Sequence, residues 1–294
     1  MKELFAKYNF CGLPEDLSSK EKSHFHILPI PYEATTSYGH GTIFGPKAII
    51  DASLNMEVFD EELWQDTSSL GIHTLPFVEP VSSGPEEMIK ALSEHVYKII
   101  SKMSKDKILI CLGGEHSISP GPVRAFKRKY PKLSVLHFDA HADLRDSYQG
   151  TPYSHACAAR RMLESCPVVS CGIRSISPDE AVFAKKSSQN IFWYKSAFEN
   201  IDKVLSLLTD DVYISLDVDV LDPSVMPSTG TPEPDGWTWR ELCNFLRAVT
   251  EKKNVVGLDI VELEPKQENR GPDFSVAKLL YRLMGHIAVS KKWM

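Results

Sequence analysis

The sequence has 294 residues, of which 43% are hydrophobic and 24% are charged, a composition typical of a globular protein. The net charge is −6, and no stretch is basic with interleaved aromatic residues, which argues against a nucleic-acid partner. No apolar run approaches the roughly 20 residues that span a bilayer, and the N-terminal stretch lacks the apolar core of a signal peptide. The cysteines have neither disulfide-framework nor CxxC spacing. We therefore predict a cytoplasmic protein without a membrane segment.

Runs of apolar residues alternate with amphipathic segments along the chain. In the first half, the pattern predicts a strand at 24–29, a helix entered through the Gly45–Pro46 turn, a helix at 86–104, a strand at 107–112, a helix at 121–129 and a strand at 133–138. In the second half, it predicts a helix at 154–164, strands at 168–172 and 191–194, a helix at 201–208, a strand at 212–216, a helix at 239–251, a strand at 254–258 and a closing helix at 274–289.

Continuously apolar strands separated by helices are typical of a parallel sheet that is covered on both faces. No linker, repeat or low-complexity tract interrupts the pattern. We therefore predict one α/β domain over residues 1–294. Ligands of such folds bind beyond the carboxyl ends of the strands.

Four short stretches that are rich in acids and histidine each follow a predicted strand. They are LGGEHS at 112–117, DAHAD at 139–143, DVDVLDP at 217–223 and DIVE at 259–262. Because the carboxyl ends of parallel strands meet at one edge of a sheet, we expect these stretches to meet at one rim.

The residue types in these stretches predict a pair of metal ions. Alternate residues of an extended segment point to the same side, so the first, third and fifth residues of DAHAD converge, as do both acids of DVD. Two glycines give the GGEHS turn an unusual backbone path that presents its histidine. Two imidazoles with mostly oxygen donors favour Mn²⁺, and two such ions can share and activate one water. The predicted ligands are His116, Asp139, His141, Asp143, Asp217 and Asp219.

Two other residues of ligand type lie in or beside these stretches. Glu115 belongs to the GGEHS turn, and His137 lies inside the strand that precedes DAHAD. The side chain of His137 points away from that of Phe138, so we expect a buried, hydrogen-bonded core histidine.

The motifs together resemble those of the ureohydrolase family, which contains the arginases and agmatinases. GGEHS, FDAHAD, YSHA, SLDVDVLDP, GTPEPDG and GLDIVELEP occur in the family's order, and the resemblance begins at PIPYEATTSYGHGTIFGPKAI near the N-terminus. It implies a three-layer α/β/α fold with a mostly parallel sheet, which the family shares with metal-dependent deacetylases. It also implies two Mn²⁺ ions per chain, hydrolysis of a small cationic guanidino substrate with release of urea, and a homo-oligomer, either a trimer or a hexamer.

The resemblance also assigns roles to individual residues. It implies that the six predicted ligands hold the ions, with two of the aspartates bridging them. His155 in YSHA matches the histidine that shuttles protons and contacts the substrate. Glu262 in DIVE matches the carboxylate that holds the guanidinium, and Asp143 matches the one that protonates the leaving amine.

The substrate stays open among several guanidino compounds. The loop at 144–154, CGIRSIS and GTPEPDGWTWRE resemble the agmatinase branch, which predicts conversion of agmatine to putrescine and urea in polyamine biosynthesis. N1-aminopropylagmatine is the first alternative, followed by guanidinobutyrate and arginine. Candidates for contact with the far end of the substrate are Asp146, Tyr148 and Tyr153 for a cation, and Arg145, Arg160 and Arg174 for a carboxylate.

Two other classes of protein compete with a ureohydrolase. A single-zinc deacetylase of the same fold would use a tandem histidine pair, and no His-His occurs in the sequence. A non-catalytic relative that serves as a binding subunit would be expected to have lost ligands, whereas all six are present.

Overall fold

The central feature of the fold is an eight-stranded sheet in which every pair of neighbouring strands is parallel. A computed structural model describes residues 8–294. Two further short strands form a separate antiparallel hairpin outside this sheet. The strands are β1 (Phe25–Ile30), β2 (Phe59–Asp60), β3 (Gln65–Asp66), β4 (Ile72–Thr74), β5 (Ile108–Gly113), β6 (Ser134–Phe138), β7 (Val168–Ile173), β8 (Asn190–Trp193), β9 (Asp211–Asp217) and β10 (Asn254–Val261).

Helices connect the strands and begin where the sequence supplies helix-starting residues. Thr238 and Ser177 each form a capping box with a glutamate three residues later, and proline occupies the first turn of several other helices. The helices are α1 (Glu15–Ser18), α2 (Gly45–Ser53), α3 (Pro85–Ile100), α4 (Pro120–Lys129), α5 (Ala158–Leu163), α6 (Pro178–Lys186), α7 (Tyr194–Glu199), α8 (Ile201–Leu207), α9 (Trp239–Lys252) and α10 (Gly271–Ser290).

Two apolar cores cover the two faces of the sheet. Along β5, Ile108 and Ile110 belong to one core, and Leu109 and Cys111 belong to the other. The first core is completed by α2, α7, α8, α9 and α10, and the second by α3, α4 and α5. The structure therefore has three layers, and the predicted α/β/α fold with a mostly parallel sheet is confirmed.

The order of the strands places the four acidic stretches side by side. The sheet runs β4-β1-β5-β10-β9-β6-β7-β8. GGEHS follows β5, DIVE ends β10, DVD follows from β9, and DAHAD follows β6. These four strands are adjacent at the centre of the sheet, so their carboxyl ends form one continuous rim.

Some of the local structure differs from the sequence predictions. The helix predicted at 154–164 is a 3₁₀ turn at His155–Cys157 followed by α5, because Cys157 has a non-helical backbone with φ −119° and ψ 5°. The pattern of apolar residues did not predict α6, because this helix has little amphipathic character. It also did not predict the three-residue strand β4. A single domain over residues 1–294 stays a prediction, and residues 1–7 lie outside the described part of the chain. Among the helices of residues 8–294, none combines the length and apolar character that a membrane crossing requires.

A buried ion pair joins α10 to the β2–β3 hairpin. Arg282 Nε donates to Asp60 Oδ2 at 3.0 Å, and the two side chains are 1% and 0% exposed. Asp60 Oδ1 also accepts the backbone N–H groups of Glu62 and Leu63. Removing one partner of such a pair leaves the other charge buried and without compensation.

We expect Arg282→Leu to lower the free energy of unfolding by about 3–5 kcal/mol, because Asp60 would keep its burial but lose its cation. Arg247→Leu is the matched control: Arg247 contacts Glu62 at 3.2 Å with a side chain that is 47% exposed, so its loss should cost about 1 kcal/mol or less. Urea denaturation of both variants measures the free energies of unfolding. Equal decreases in the two variants would contradict the prediction that the buried Arg282–Asp60 pair stabilises the fold more than the exposed pair.

Candidate active site

The rim of the sheet begins at a turn that only glycine permits. After β5, a Cβ atom on Gly114 would lie 2.1 Å from the carbonyl oxygen of Tyr32. The backbone can therefore pass close to the loop after β1 and then enter a 3₁₀ turn at His116–Ile118. This path places the imidazole of His116 in the centre of the rim, where it is 1% exposed.

Three carboxylates surround one nitrogen of His116. Its Nδ1 lies 3.1 Å from Asp139 Oδ2, 3.1 Å from Asp217 Oδ2 and 3.4 Å from Asp143 Oδ2. Asp143 reaches this position through a left-handed backbone with φ 51°, which aspartate tolerates better than most residues. The two aspartates from DAHAD and one from DVD thus converge on one imidazole, as the sequence predicts.

The other nitrogen of His116 fixes which tautomer faces the carboxylates. Nε2 lies 3.1 Å from Ser215 Oγ, and that hydroxyl donates to Asp259 Oδ1 at 2.8 Å. Because the hydroxyl has only one hydrogen, it must accept from Nε2–H. The lone pair of Nδ1 is then directed at three carboxylate oxygens, an arrangement that a divalent cation between them would satisfy.

A second cluster forms around His141. Its Nδ1 lies 2.8 Å from Asp219 Oδ2 and 3.5 Å from Asp139 Oδ1. Asp139 therefore presents Oδ2 to the His116 cluster and Oδ1 to the His141 cluster. One carboxylate between two imidazole–carboxylate groups is the geometry expected of a bridging ligand in a two-metal site.

The electrostatics of the cluster also suit cations. Burial, together with the charge of Asp139, raises the pKa of Asp143 well above its ordinary value. Burial and the charges of Asp219 and Asp139 do the same to the pKa of Asp217. Carboxylates that are buried this close together repel one another, and divalent ions would offset that repulsion. The His/Asp groups thus fit a binuclear metal site.

His137 is buried and hydrogen-bonded, as expected from its place in β6, but its partner gives it a further role. Nε2 lies 2.8 Å from Asp139 Oδ2, and Nδ1 lies 3.1 Å from Ser170 Oγ. The ring therefore orients the carboxylate that faces both clusters. The alternation that puts Asp139, His141 and Asp143 on one side includes His137, but from its place inside the strand only a core histidine was expected.

Glu262 lies beside the His116 cluster and is not part of it. Its Oε1 accepts the backbone N–H of His116 at 2.6 Å, and its own backbone has a left-handed φ of 66°. The side chain is 8% exposed and lines a cavity of about 240 Å³ that also contains His141, Asp143 and His155. Burial raises the pKa of Glu262 to about 8, so a cation that enters the cavity would stabilise its ionised form.

His155 also lines this cavity and is held by the loop after β1. Its backbone N–H donates to Thr35 Oγ1 at 2.9 Å, its Nδ1 lies 3.3 Å from the same oxygen, and its Nε2 lies 3.4 Å from Ser37 Oγ. Burial lowers the pKa of His155 below its ordinary value, which favours the neutral imidazole near pH 7. The sequence analysis did not identify Thr35 or Ser37, although both lie in the quoted PIPYEATTSYGHG stretch.

The six candidates for contact with the far end of a substrate divide into two that line the cavity and four that do not. Arg145 and Tyr148 line the cavity, with the guanidinium carbon 4.9 Å from the ring centroid. The other four have different partners. Asp146 pairs with Arg160, Tyr153 faces Arg124, and Arg174 donates to backbone carbonyl oxygens, including those of Asp219 and Glu233.

A pair of imidazole–carboxylate clusters at the rim of a three-layer parallel sheet is typical of metal-dependent hydrolases. The model of the arginase family matches residues 23–285, and the chain belongs to this family.

Similar proteins agree with this membership. A protein from Synechocystis sp. named N(1)-aminopropylagmatine ureohydrolase is 36% identical over 286 residues, which cover 95% of this chain and 94% of that protein. An agmatinase from Pyrococcus horikoshii is 39% identical over 264 residues, which cover 88% and 90%. The crystal structure of agmatine ureohydrolase of Thermoplasma volcanium matches with a TM-score of 0.87 and 31% identity over 99% of this chain and 97% of that one. The prediction of a ureohydrolase is confirmed.

We expect His141→Ala to reduce the bound divalent metal from about two ions per chain to about one, because only one cluster loses its imidazole. Asp139→Ala should reduce binding at both clusters, since its two oxygens face both imidazoles. Elemental analysis after dialysis against limiting Mn²⁺ measures the ratio, with the exposed His95→Ala as the control. Retention of both ions by His141→Ala would show that His141 is not a ligand.

Proposed function

We propose that this protein is a binuclear manganese agmatinase that hydrolyses agmatine to putrescine and urea. The observation that carries the proposal is Asp139, whose two carboxylate oxygens face His116 and His141 beside the buried carboxylate of Glu262. The donor set of two imidazoles and carboxylate oxygens supports Mn²⁺ as the metal. Proposed ligands are His116, Asp139, His141, Asp143, Asp217 and Asp219.

Glu262 is proposed to hold the guanidinium group. A carboxylate can accept two N–H groups of a guanidinium at once and so fix the plane of the cation. The backbone N–H of His116 occupies Oε1 at 2.6 Å, which holds the carboxylate in place at the wall of the cavity. In this low-dielectric setting, the substrate cation would stabilise the ionised form of Glu262.

The guanidinium carbon is a poor electrophile, because the positive charge is delocalised over three nitrogens. When bound, the two ions would supply an activated water for attack on this carbon. The role of Glu262 is then to keep the plane of the guanidinium facing that water, which converts binding energy into orientation.

Asp143 and His155 are proposed to move the protons. The carboxylate of Asp143 faces both the His116 cluster and the cavity, so it is placed to take a proton from the attacking water and to give it to the leaving amine. His155 lines the same cavity and is neutral near pH 7, so it can exchange protons between the site and solvent.

The far end of the substrate is the second part of the proposal. Agmatine is favoured because Arg145, which lines the cavity, lies 3.9 Å from the carboxylate of Glu180 and over the ring of Tyr148, and is therefore already engaged when a substrate carboxylate would need it. N1-aminopropylagmatine is the second candidate, since several relatives with 35–37% identity bear the name of its ureohydrolase. Guanidinobutyrate would have to attract Arg145 away from Glu180.

A single-zinc deacetylase and a non-catalytic relative are the other classes. Against the first stands the second cluster, in which Asp219 and Asp139 approach His141. Against the second stands the presence of all six proposed ligands, five of which line one cavity together with Glu262 and His155. A cytoplasmic location and assembly into trimers or hexamers are also part of the proposal, and size-exclusion chromatography with light scattering tests the assembly.

The substrate is tested by urea release from a panel of guanidino compounds with Mn²⁺. We expect the highest kcat/KM for agmatine, a lower value for N1-aminopropylagmatine, and at least about 100-fold lower values for arginine and guanidinobutyrate, because Arg145 is already paired with Glu180 and leaves their carboxylates without a free cation. If kcat/KM were higher for N1-aminopropylagmatine than for agmatine, the proposed substrate would be N1-aminopropylagmatine instead. Absence of urea from all four compounds, in protein that holds two ions, would refute the ureohydrolase.

We expect His155→Asn to lower kcat about 100-fold while KM changes by less than about 3-fold, because proton transfer by a positioned base contributes this order of rate. The steady-state kinetics of urea release measure both constants. His95→Asn, on the exposed face of α3, is the control and should match the unchanged protein. A rise in KM without loss of kcat would make His155 a binding residue alone.

A further inference from the structure

The hydroxyl of Thr35 connects a buried carboxylate to His155. Thr35 Oγ1 donates to Glu115 Oε1 at 2.9 Å, and it lies 3.3 Å from His155 Nδ1. Thr35 and His155 are 120 positions apart in the chain, and Glu115 belongs to a third segment, the GGEHS turn. This contact between three distant segments has no part in the ligand set or in guanidinium binding as proposed above.

The carboxylate of Glu115 accepts hydrogen bonds from two backbone N–H groups and two hydroxyls. It is 0% exposed. Its Oε2 accepts the backbone N–H groups of Ala34 and Thr35 at 2.8 and 2.7 Å, and its Oε1 accepts the hydroxyls of Thr35 and Ser117. Two backbone N–H donors on one oxygen fix the orientation of the carboxylate, so Oε1 always faces the Thr35 hydroxyl.

The hydrogen bonds of Thr35 Oγ1 can be counted completely. A hydroxyl has one hydrogen and two acceptor sites. The hydrogen is directed at Glu115, and one acceptor site takes the backbone N–H of His155 at 2.9 Å. The remaining site faces His155 Nδ1, so Thr35 cannot donate to that nitrogen and can only accept a hydrogen from it. Ser154 Oγ, 3.3 Å from the same nitrogen, can accept a second branch of this bond.

The consequence lies at the other ring nitrogen. A neutral imidazole with hydrogen on Nδ1 has its lone pair on Nε2. Nε2 is the nitrogen on the side of Ser37, which lines the cavity. The basic atom of His155 is thus held toward the site of reaction.

We propose that Thr35, oriented by Glu115, is a positioning residue that holds His155 as the Nδ1–H tautomer with Nε2 as its basic atom. The structural part of this proposal stands on the hydrogen bonds alone. Its catalytic consequence rests on the proposed function, in which His155 moves protons.

The tautomer can be read directly in the absence of turnover. Long-range ¹H–¹⁵N correlation spectra of histidine-labelled protein, recorded without metal, distinguish the two neutral tautomers by the shifts of the ring nitrogens. The His155→Asn variant assigns the signals of His155. We expect the Nδ1–H pattern above the pKa of the ring. An Nε2–H pattern in the unchanged protein would overturn the proposal, whatever the activity.

The Glu115→Gln variant tests whether the orientation of Glu115 determines the tautomer of His155. The two backbone N–H donors keep the amide oxygen at the position of Oε2, so the amide NH₂ faces Thr35 Oγ1. The Thr35 hydroxyl must then donate to His155 Nδ1, and we expect the tautomer to reverse to Nε2–H. Persistence of the Nδ1–H pattern in this variant would show that Thr35 does not transmit the orientation of Glu115.

Kinetics then test the catalytic consequence. We expect Thr35→Val, which removes the hydroxyl at constant shape, to lower kcat at least about 10-fold with KM nearly unchanged, and Thr35→Ser to restore most of the rate. Thr36→Val is the matched control on the same loop, because the Thr36 hydroxyl contacts His40 and Glu33 and not His155. Equal rates for Thr35→Val and Thr36→Val would refute the positioning role.

The two proposals fail in different ways. If no guanidino compound yields urea, the proposed function fails, while the spectra still decide the tautomer. If urea is released but the tautomer is Nε2–H, the proposed function stands and the role of Thr35 does not. Should Thr35→Val fold poorly, the Thr35→Ser and Glu115→Gln variants still give both readouts.

Discussion

The carboxylate of Asp139 is the group on which the rest of the site depends. One oxygen faces His116 and the other faces His141, while His137 and the backbone N–H of His141 hold it from behind. Such an arrangement concentrates negative charge where water cannot screen it, and a protein can keep it only if cations or hydrogen-bond donors compensate. The ring of His137 and several backbone N–H groups supply donors to the aspartates, and divalent cations would supply the rest of the compensation.

Much of this site could be predicted from sequence because strand ends are regular. Continuous apolar strands indicated a parallel sheet, and parallel strands bring their carboxyl ends to one rim, so DAHAD and DVD had to meet there if their strands were neighbours. The order of the strands was not predictable from composition or periodicity. β10 lies between β5 and β9, and this position puts Glu262 beside His116.

Other parts of the site had no signal in the local pattern. Thr35, Ser37 and Ser215 are common residue types whose roles arise from contacts with distant segments, and no spacing rule reports such contacts. The turn at His155–Cys157 looked helical because its apolar residues have helical spacing, yet tertiary hydrogen bonds to Thr35 give it another backbone path. His116 and His155 have one feature in common: each faces a hydroxyl that donates to a buried acid and can therefore only accept from the ring, which favours one tautomer.

The place of β10 in the sheet has a consequence for the order of folding. β10 (Asn254–Val261) is the last strand in the chain, yet it pairs with β5 and β9 at the centre of the sheet. The halves of the sheet on either side of it therefore have no direct hydrogen-bonded connection until the C-terminal part of the chain is in place. Pairing between segments so far apart carries a large loop-closure cost and is slow. During synthesis from the N-terminus, the rim cannot be completed before residue 262 has emerged, so an incomplete chain carries the acids of the site without their final arrangement.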